Sequence, residues 1–224
     1  MSALHAVGAL FHRESLRTFR NRAQLIQPLL FFALVAVLFP FALGPSAGTE
    51  AHLGVTLIWI AVLLATTLSL DEIFRSDFDH GGLELMLLSP HPLALLVAVK
   101  ALAHWVFALA PLIAIAVVVS VAFHAAPAER MTLFTTLLLG TLIFSFVGTV
   151  ASALTVGLRG GALLLALLII PLYIPVLIFG ASAVSNAALG LPTASEHYLL
   201  AGLAVLAATL APFAGAAGLR ARLS

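Results

Sequence analysis

The sequence predicts an all-α membrane protein with six transmembrane helices and an N-terminal interfacial amphipathic helix. Three observations carry this. Hydrophobic residues form 62% of the 224-residue chain and charged residues only 8%, whereas soluble domains are about one-quarter charged. The mean hydropathy is +1.19. Six apolar stretches, each long enough to cross a bilayer, recur between short polar or turn-forming segments. Spans of ~20–25 residues fill such a chain and leave no room for a sizeable soluble domain, so 1–224 reads as a single transmembrane domain.

Residues 1–22 hold the interfacial helix. Over 3–20, helical spacing places Leu4, Val7, Leu10, Phe11 and Phe19 toward one side and Arg13, Arg17 and Arg20 on another. The spans are expected near 23–43, 53–74, 93–123, 131–157, 162–184 and 198–219. The start, MSALHAVGALFHRE, lacks the early positive region, apolar stretch and cleavage site of a signal peptide, so the first span is expected to remain as an anchor. Gly44-Pro45-Ser46-Ala47-Gly48, Ala125-Ala126-Pro127 and Arg159-Gly160-Gly161 have turn compositions. In the third span, Lys100 is expected to snorkel to the headgroups, with the true crossing starting near Ala101. Small residues in the fourth span, Gly140, Ser145, Gly148, Ala151 and Ser152, permit close helix approach, for packing within the bundle or against another subunit. Pro171 and Pro175 kink or unwind the fifth, as a fixed bend or a hinge. Gly180 to His197 is small-residue-rich and is expected to hold a short re-entrant or surface helix.

The polar interval Leu70–Leu93, LDEIFRSDFDHGGLELMLLSPHPL, contains five of the nine acidic residues. Its first part continues the second span into water, with Asp71 and Arg75 in the favourable i,i+4 order. Gly81 and Gly82 break that helix. Leu83 to Leu88 is too short to cross a bilayer and too apolar to lie free in water, and Ser89, Pro90 and Pro92 end it. Such a piece needs a surface, either the lipid interface or a groove on a soluble partner.

With six spans and the N-terminus inside, Arg13, Arg17, Arg20, Arg22, Arg75, Lys100, Arg159, Arg220 and Arg222 lie inside and only Arg130 outside. That bias sets both termini, and the Leu70–Leu93 interval, in the cytoplasm. No persuasive internal repeat supports an inverted-repeat carrier. The net charge of +1 gives no ground for a nucleic-acid partner. The absence of cysteine excludes disulfides and thiolate sites within the chain. The only lysine, Lys100, has no glycine-rich loop around it, so a P-loop is absent and ATP must be bound by another polypeptide. No G-x-S-x-G or H-E-x-x-H occurs, and no acidic residue lies deep in a span, so no catalytic residue is assigned. Of eight histidines, His52, His124 and His197 fall near the outer face, and His5, His12, His80 and His91 near the inner one. His104, one turn into the third span beside Trp105, is expected to make an interhelical hydrogen bond. No metal or cofactor ligand is assigned.

Four stretches carry a family resemblance: FHRESLRTFRNRAQLIQPLLFF at 11–32, SLDEIFRSDF at 69–78, GGLELMLLSPHPL at 81–93 and PLYIPVLIFG at 171–180. The chain resembles the membrane subunits of type-2 ABC exporters and, more closely and over nearly its whole length, the CcmB family of cytochrome c maturation. The resemblance implies a permease-like, non-catalytic subunit of a bacterial inner membrane complex. Its implied partners are an ATPase subunit (CcmA-like) that binds ATP, a heme-handling membrane subunit (CcmC-like), a small membrane subunit and a periplasmic heme chaperone, all within the lipid bilayer or beside it. Heme is then cargo of the complex rather than a bound cofactor. ATP hydrolysis drives heme export or release of the heme-loaded chaperone. This chain has only Trp59 and Trp105, far apart, and so no Trp-rich heme platform. In this picture the Leu70–Leu93 interval is the coupling element. Asp77, Asp79 and Glu84 give charge complementarity to the ATPase, Phe74, Phe78, Leu85 and Met86 give buried contact, and Leu88 belongs to the same interface. Two other readings stand beside it: a generic permease for a lipid or other hydrophobic substrate, and a non-transporting scaffold for heme-handling partners.

Overall fold

Backbone amides inside a bilayer have no water to bond to and must be satisfied within their own segment. Every regular element among the described residues is accordingly helical. The computed structural model describes residues 3–20, 22–43 and 51–223. The turn expected at Gly44 to Gly48 lies outside the described residues, as do the side chains of Leu4, Phe19, Arg22 and His52.

The order is α1 (Ala3–Arg20), α2 (Arg22–Leu43), α3 (Ala51–Leu70), α4 (Glu72–Asp79), α5 (Gly82–Leu87) and α6 (Leu93–His104). A π-helical segment (Trp105–Leu109) follows, then α7 (Ala110–Ala122), α8 (Pro127–Thr155), α9 (Gly161–Ala188) and α10 (Ala194–Leu223). Five helical stretches among the described residues are long and apolar enough to cross a membrane: Gly54–Asp79, Leu93–Ala122, Pro127–Thr155, Gly161–Ala188 and Ala194–Arg222. Leu25–Phe39, within α2, is a shorter apolar helix.

The bundle is built around α8, which packs against α3, α6, α9 and α10. Of the apolar part of α8, 67% is inside protein, against 22% for α9, so α9 is peripheral and most of its surface faces away from the bundle. Small residues explain the central position. Gly140 faces Trp59, Gly148 faces Leu70 and Tyr173, and the Ser145 hydroxyl donates to the Ala101 carbonyl at 2.7 Å. The small face of α8 is thus used for packing within the bundle.

Three aromatic rings fill the centre. Trp59 meets Phe144 edge-on at 6.3 Å, and Phe144 stacks on Tyr173 at 4.1 Å. Tyr173 lies between Pro171 and Pro175, which cannot donate to the carbonyls one turn back. Its hydroxyl donates to the Phe144 carbonyl at 2.5 Å and ties this part of α9 to α8.

Two features depart from the sequence expectation. The segment from Gly180 is not a separate re-entrant or surface helix: α9 continues to Ala188, and residues 189–193 join it directly to α10. Asn186 Nδ2 donates to Glu196 Oε1 at 2.7 Å and the Leu191 amide donates to the Asn186 carbonyl at 2.8 Å, closing the link. The stretch expected as the third span is not one regular α-helix, because Trp105–Leu109 is π-helical. Pro111 lies at the start of α7 and has no amide to donate to the Phe107 carbonyl, which frees the preceding turn to widen.

Candidate functional site

The polar interval after α3 folds as a helical hairpin, and two glycines make it possible. Gly81 takes a left-handed conformation at φ +71°, which L side chains adopt only with strain. Gly82 sits against Asp77, where a Cβ would lie 2.9 Å from the carboxylate. The two short helices are therefore held closely, and Asp71 and Arg75 pair at 2.7 Å on the exposed side of α4.

Helical spacing then divides α5 between two environments. Leu83 and Met86, three apart, are buried, whereas Leu85 is 69% exposed and Leu88, just past the helix, 82% exposed. Of the residues expected to meet a partner, Phe78, Asp79, Glu84, Leu85 and Leu88 are exposed. Phe74, Asp77 and Met86 are not: they turn into the chain's own interior. The correction follows from the same periodicity, since α4 and α5 must bury one stripe against α6 and α8 to be held at all. The Phe78 ring packs over Gly157, in the link between α8 and α9, whose φ is +74°.

Asp77 enters a buried ion cluster. Lys100 Nζ, on α6, forms an ion pair with Asp77 Oδ2 at 2.6 Å and donates to Glu14 Oε1, on α1, at 3.0 Å. Arg13 Nη2 reaches Asp77 Oδ1 at 2.9 Å and Glu14 Oε1 at 3.0 Å. Arg17 lies 3.5 Å from Glu14 and 3.6 Å from Asp77, and also donates to the Glu72 carbonyl at 3.0 Å. Partial burial opposes the charge on Arg13, but Asp77 and Glu14 outweigh it and raise its pKa from its ordinary value. The Lys100 ammonium also lies 5.5 Å from the centre of the Phe74 ring, on the cation–π side of its environment.

Lys100 therefore does not snorkel. It is 2% exposed, because carboxylates on α1 and α4 come to it and supply the charge neutralisation that headgroups would otherwise provide. Three helices far apart in sequence are joined at one point.

Deeper in the same region, His104 bridges α3 and α8. Its Nδ1 is 2.8 Å from Ser145 Oγ and its Nε2 2.9 Å from Ser69 Oγ. Each serine hydroxyl also donates to a backbone carbonyl, Ser145 to Ala101 at 2.7 Å and Ser69 to Thr66 at 2.8 Å, so a neutral ring donates to one serine and the other serine shares its hydrogen between its carbonyl and the second ring nitrogen. Trp105 Nε1 donates to Thr141 Oγ1 at 3.1 Å, a second link to α8. His197 bonds Thr135 at 2.8 Å and Thr193 at 2.7 Å, and His80 bonds the Ser76 carbonyl at 2.7 Å. Among the described residues no three His, Asp or Glu side chains come together as a metal site. The arrangement ties α1, α3, α4, α6 and α8 together through side-chain contacts.

Sequence reading missed Glu14 and the π-helical segment. The second had a visible signal in Pro111. The first had a weaker one: a lone lysine in an apolar span calls for a carboxylate, and Glu14 stands between arginines on the amphipathic helix. Its 86-residue separation from Lys100 hides the pairing.

The model of the CcmB protein family matches residues 5–222. Heme exporter protein B of Pseudomonas aeruginosa is 49% identical over 211 residues, covering 94% of this chain and 95% of that one. The Paracoccus denitrificans protein of the same name is 44% identical over 195 residues, 87% of this chain and 89% of its own. The Escherichia coli K12 one is 39% identical over 211 residues, 94% and 96% respectively. A match that runs through the amphipathic helix, the hairpin and every long apolar helix places the chain in the CcmB family.

Proposed function

We propose that this chain is the membrane, permease-like subunit of an ABC-type complex in c-type cytochrome maturation, with six crossings and type-2 ABC exporter architecture. It lies in a bacterial inner membrane with both termini in the cytoplasm. A separate ATPase subunit hydrolyses ATP, and the chain couples that step to heme export or to release of the heme-loaded periplasmic chaperone. A heme-handling membrane subunit and a small membrane subunit complete the assembly. The names of the relatives support heme as the cargo.

The observation that carries the coupling role is the divided hairpin. Leu85 and Leu88 are exposed, as are Glu84 and Asp79 of the same hairpin, while Leu83 and Met86 are buried on its other face. An exposed apolar pair in a hairpin that also exposes two carboxylates is suited to a groove with cationic edges on the ATPase. Closure of the ATPase presses α5. Gly82 passes the displacement to Asp77, and Asp77 to α6 through Lys100 and to α1 through Arg13. Phe78 passes it to the α8–α9 link at Gly157. The two ATPase states must differ in their affinity for this hairpin by several kcal/mol, because a partner shifts an equilibrium only through differential binding.

The test is a pair of substitutions, Glu84→Lys and Leu85→Asp, in the assembled complex. The expected result is a loss of about tenfold or more in capture of the ATPase subunit, with a matching fall in c-type cytochrome yield. Normal assembly together with normal yield refutes the docking role.

A further inference from the structure

Along the edge of its packed side, next to the ion cluster, α1 forms an open groove with α4, lined by Arg13, Leu16, Arg17, Arg20 and Ser76. We infer that this groove binds the phosphate group of an anionic phospholipid. Charge comes first. In the ion cluster Arg13, Arg17 and Lys100 face Glu14 and Asp77, three cations against two carboxylates. Arg20 is exposed and makes no ion pair among the described residues, so it adds a second unneutralised charge beside the groove. Guanidinium groups present paired N–H donors that match phosphate oxygens, and the Ser76 hydroxyl supplies another donor.

Position selects the lipid as the source of that phosphate. Arg20 lies just before α2, whose apolar stretch begins at Leu25, so the groove ends within about two helical turns of hydrocarbon-compatible helix. Leu16 is exposed among the arginines, an apolar contact that a glycerol and upper acyl chain would cover and a free phosphate would not. Clustered arginines immediately beside a membrane helix are also the arrangement that anionic headgroups favour.

The full-length chain is purified into nanodiscs containing equal amounts of phosphatidylglycerol and phosphatidylcholine, extracted gently, and its retained lipids are measured by native mass spectrometry. The wild type is expected to retain phosphatidylglycerol preferentially, and Arg20→Gln to retain about fivefold less of it. Arg220→Gln, an exposed change at the far end of α10, is expected to retain the wild-type amount. Thermal unfolding in phosphatidylcholine alone is expected to be the same for Arg20→Gln and wild type, which separates loss of the site from loss of the fold. Equal retention of the two lipids, or equal losses from Arg20→Gln and Arg220→Gln, overturns the inference. Displacement of the lipid by inorganic phosphate overturns its lipid specificity. Unchanged lipid retention with lost capture of the ATPase subunit assigns the groove to a protein contact and also overturns it.

Discussion

Replacing Lys100 by Met separates a buried charge junction from a snorkelling surface lysine. Met keeps the length and apolar stem of the side chain and removes the ammonium. Asp77 and Glu14 then lose the ammonium at 2.6 and 3.0 Å but keep Arg13 at 2.9 and 3.0 Å and Arg17 at 3.6 and 3.5 Å. Breaking a buried pair from one side costs about 3–5 kcal/mol, and the remaining arginines place this case at the lower end, about 3 kcal/mol. For a chain of this length that corresponds to a fall in unfolding midpoint of roughly 6–12 °C, read by thermal denaturation in detergent. Asp77→Asn in the Lys100→Met background completes a double-mutant cycle. With the cation already gone, neutralising Asp77 removes part of the penalty, so the double variant is expected to be more stable than the sum of the singles by about 2 kcal/mol. Additive single changes, or a Lys100→Met variant within about 1 kcal/mol of wild type, would refute the junction.

Tyr173→Phe deletes one hydroxyl and leaves the stacked ring, so it is expected to cost about 1 kcal/mol in the same melt; no change would mean that the Phe144 carbonyl is satisfied without it. His104→Leu leaves the Ser69 and Ser145 hydroxyls with the Thr66 and Ala101 carbonyls. The loss is therefore expected to be near 1 kcal/mol, with cytochrome yield at least half of wild type. A yield reduced to background in a correctly assembled complex would show that His104 does more than join helices.

Long apolar runs, turn residues and the basic bias of the N-terminal segment made the helical membrane architecture legible, because bilayer thickness and backbone satisfaction leave few alternatives. The hairpin was legible for the same local reason: Gly81 and Gly82 punctuate a charged helix and a leucine-dense one. Which side of each short helix faces inward was not. Phe74, Asp77 and Met86 read as surface contacts until α6 and α8 were packed against them. Lys100 shows the limit most clearly. Its burial depends on Glu14, 86 residues away, and no local pattern distinguishes a lysine that reaches outward from one whose counter-ion arrives from another helix. The continuous α9 was misread because Gly180 and Ser182 suggest a break, whereas in the bundle the small residue at 180 receives the Trp59 ring.

A buried ion cluster is a weak source of stability, since apolar side chains of the same volume serve as well or better. Its presence at the junction of α1, α4 and α6 is better explained by what apolar contacts do poorly. Leucine ridges between helices can slide to a neighbouring groove at modest cost, and a push on α4 would then be lost as slippage. Contacts of 2.6 to 3.0 Å between Lys100, Asp77, Glu14 and Arg13 have one register. Displacing α4 by even a fraction of a turn leaves a carboxylate unpaired in an apolar surround, so α6 and α1 must follow it. Under the coupling role proposed above, a local push on the exposed two-leucine face would move three helices together, which is the mechanical property a coupling element requires.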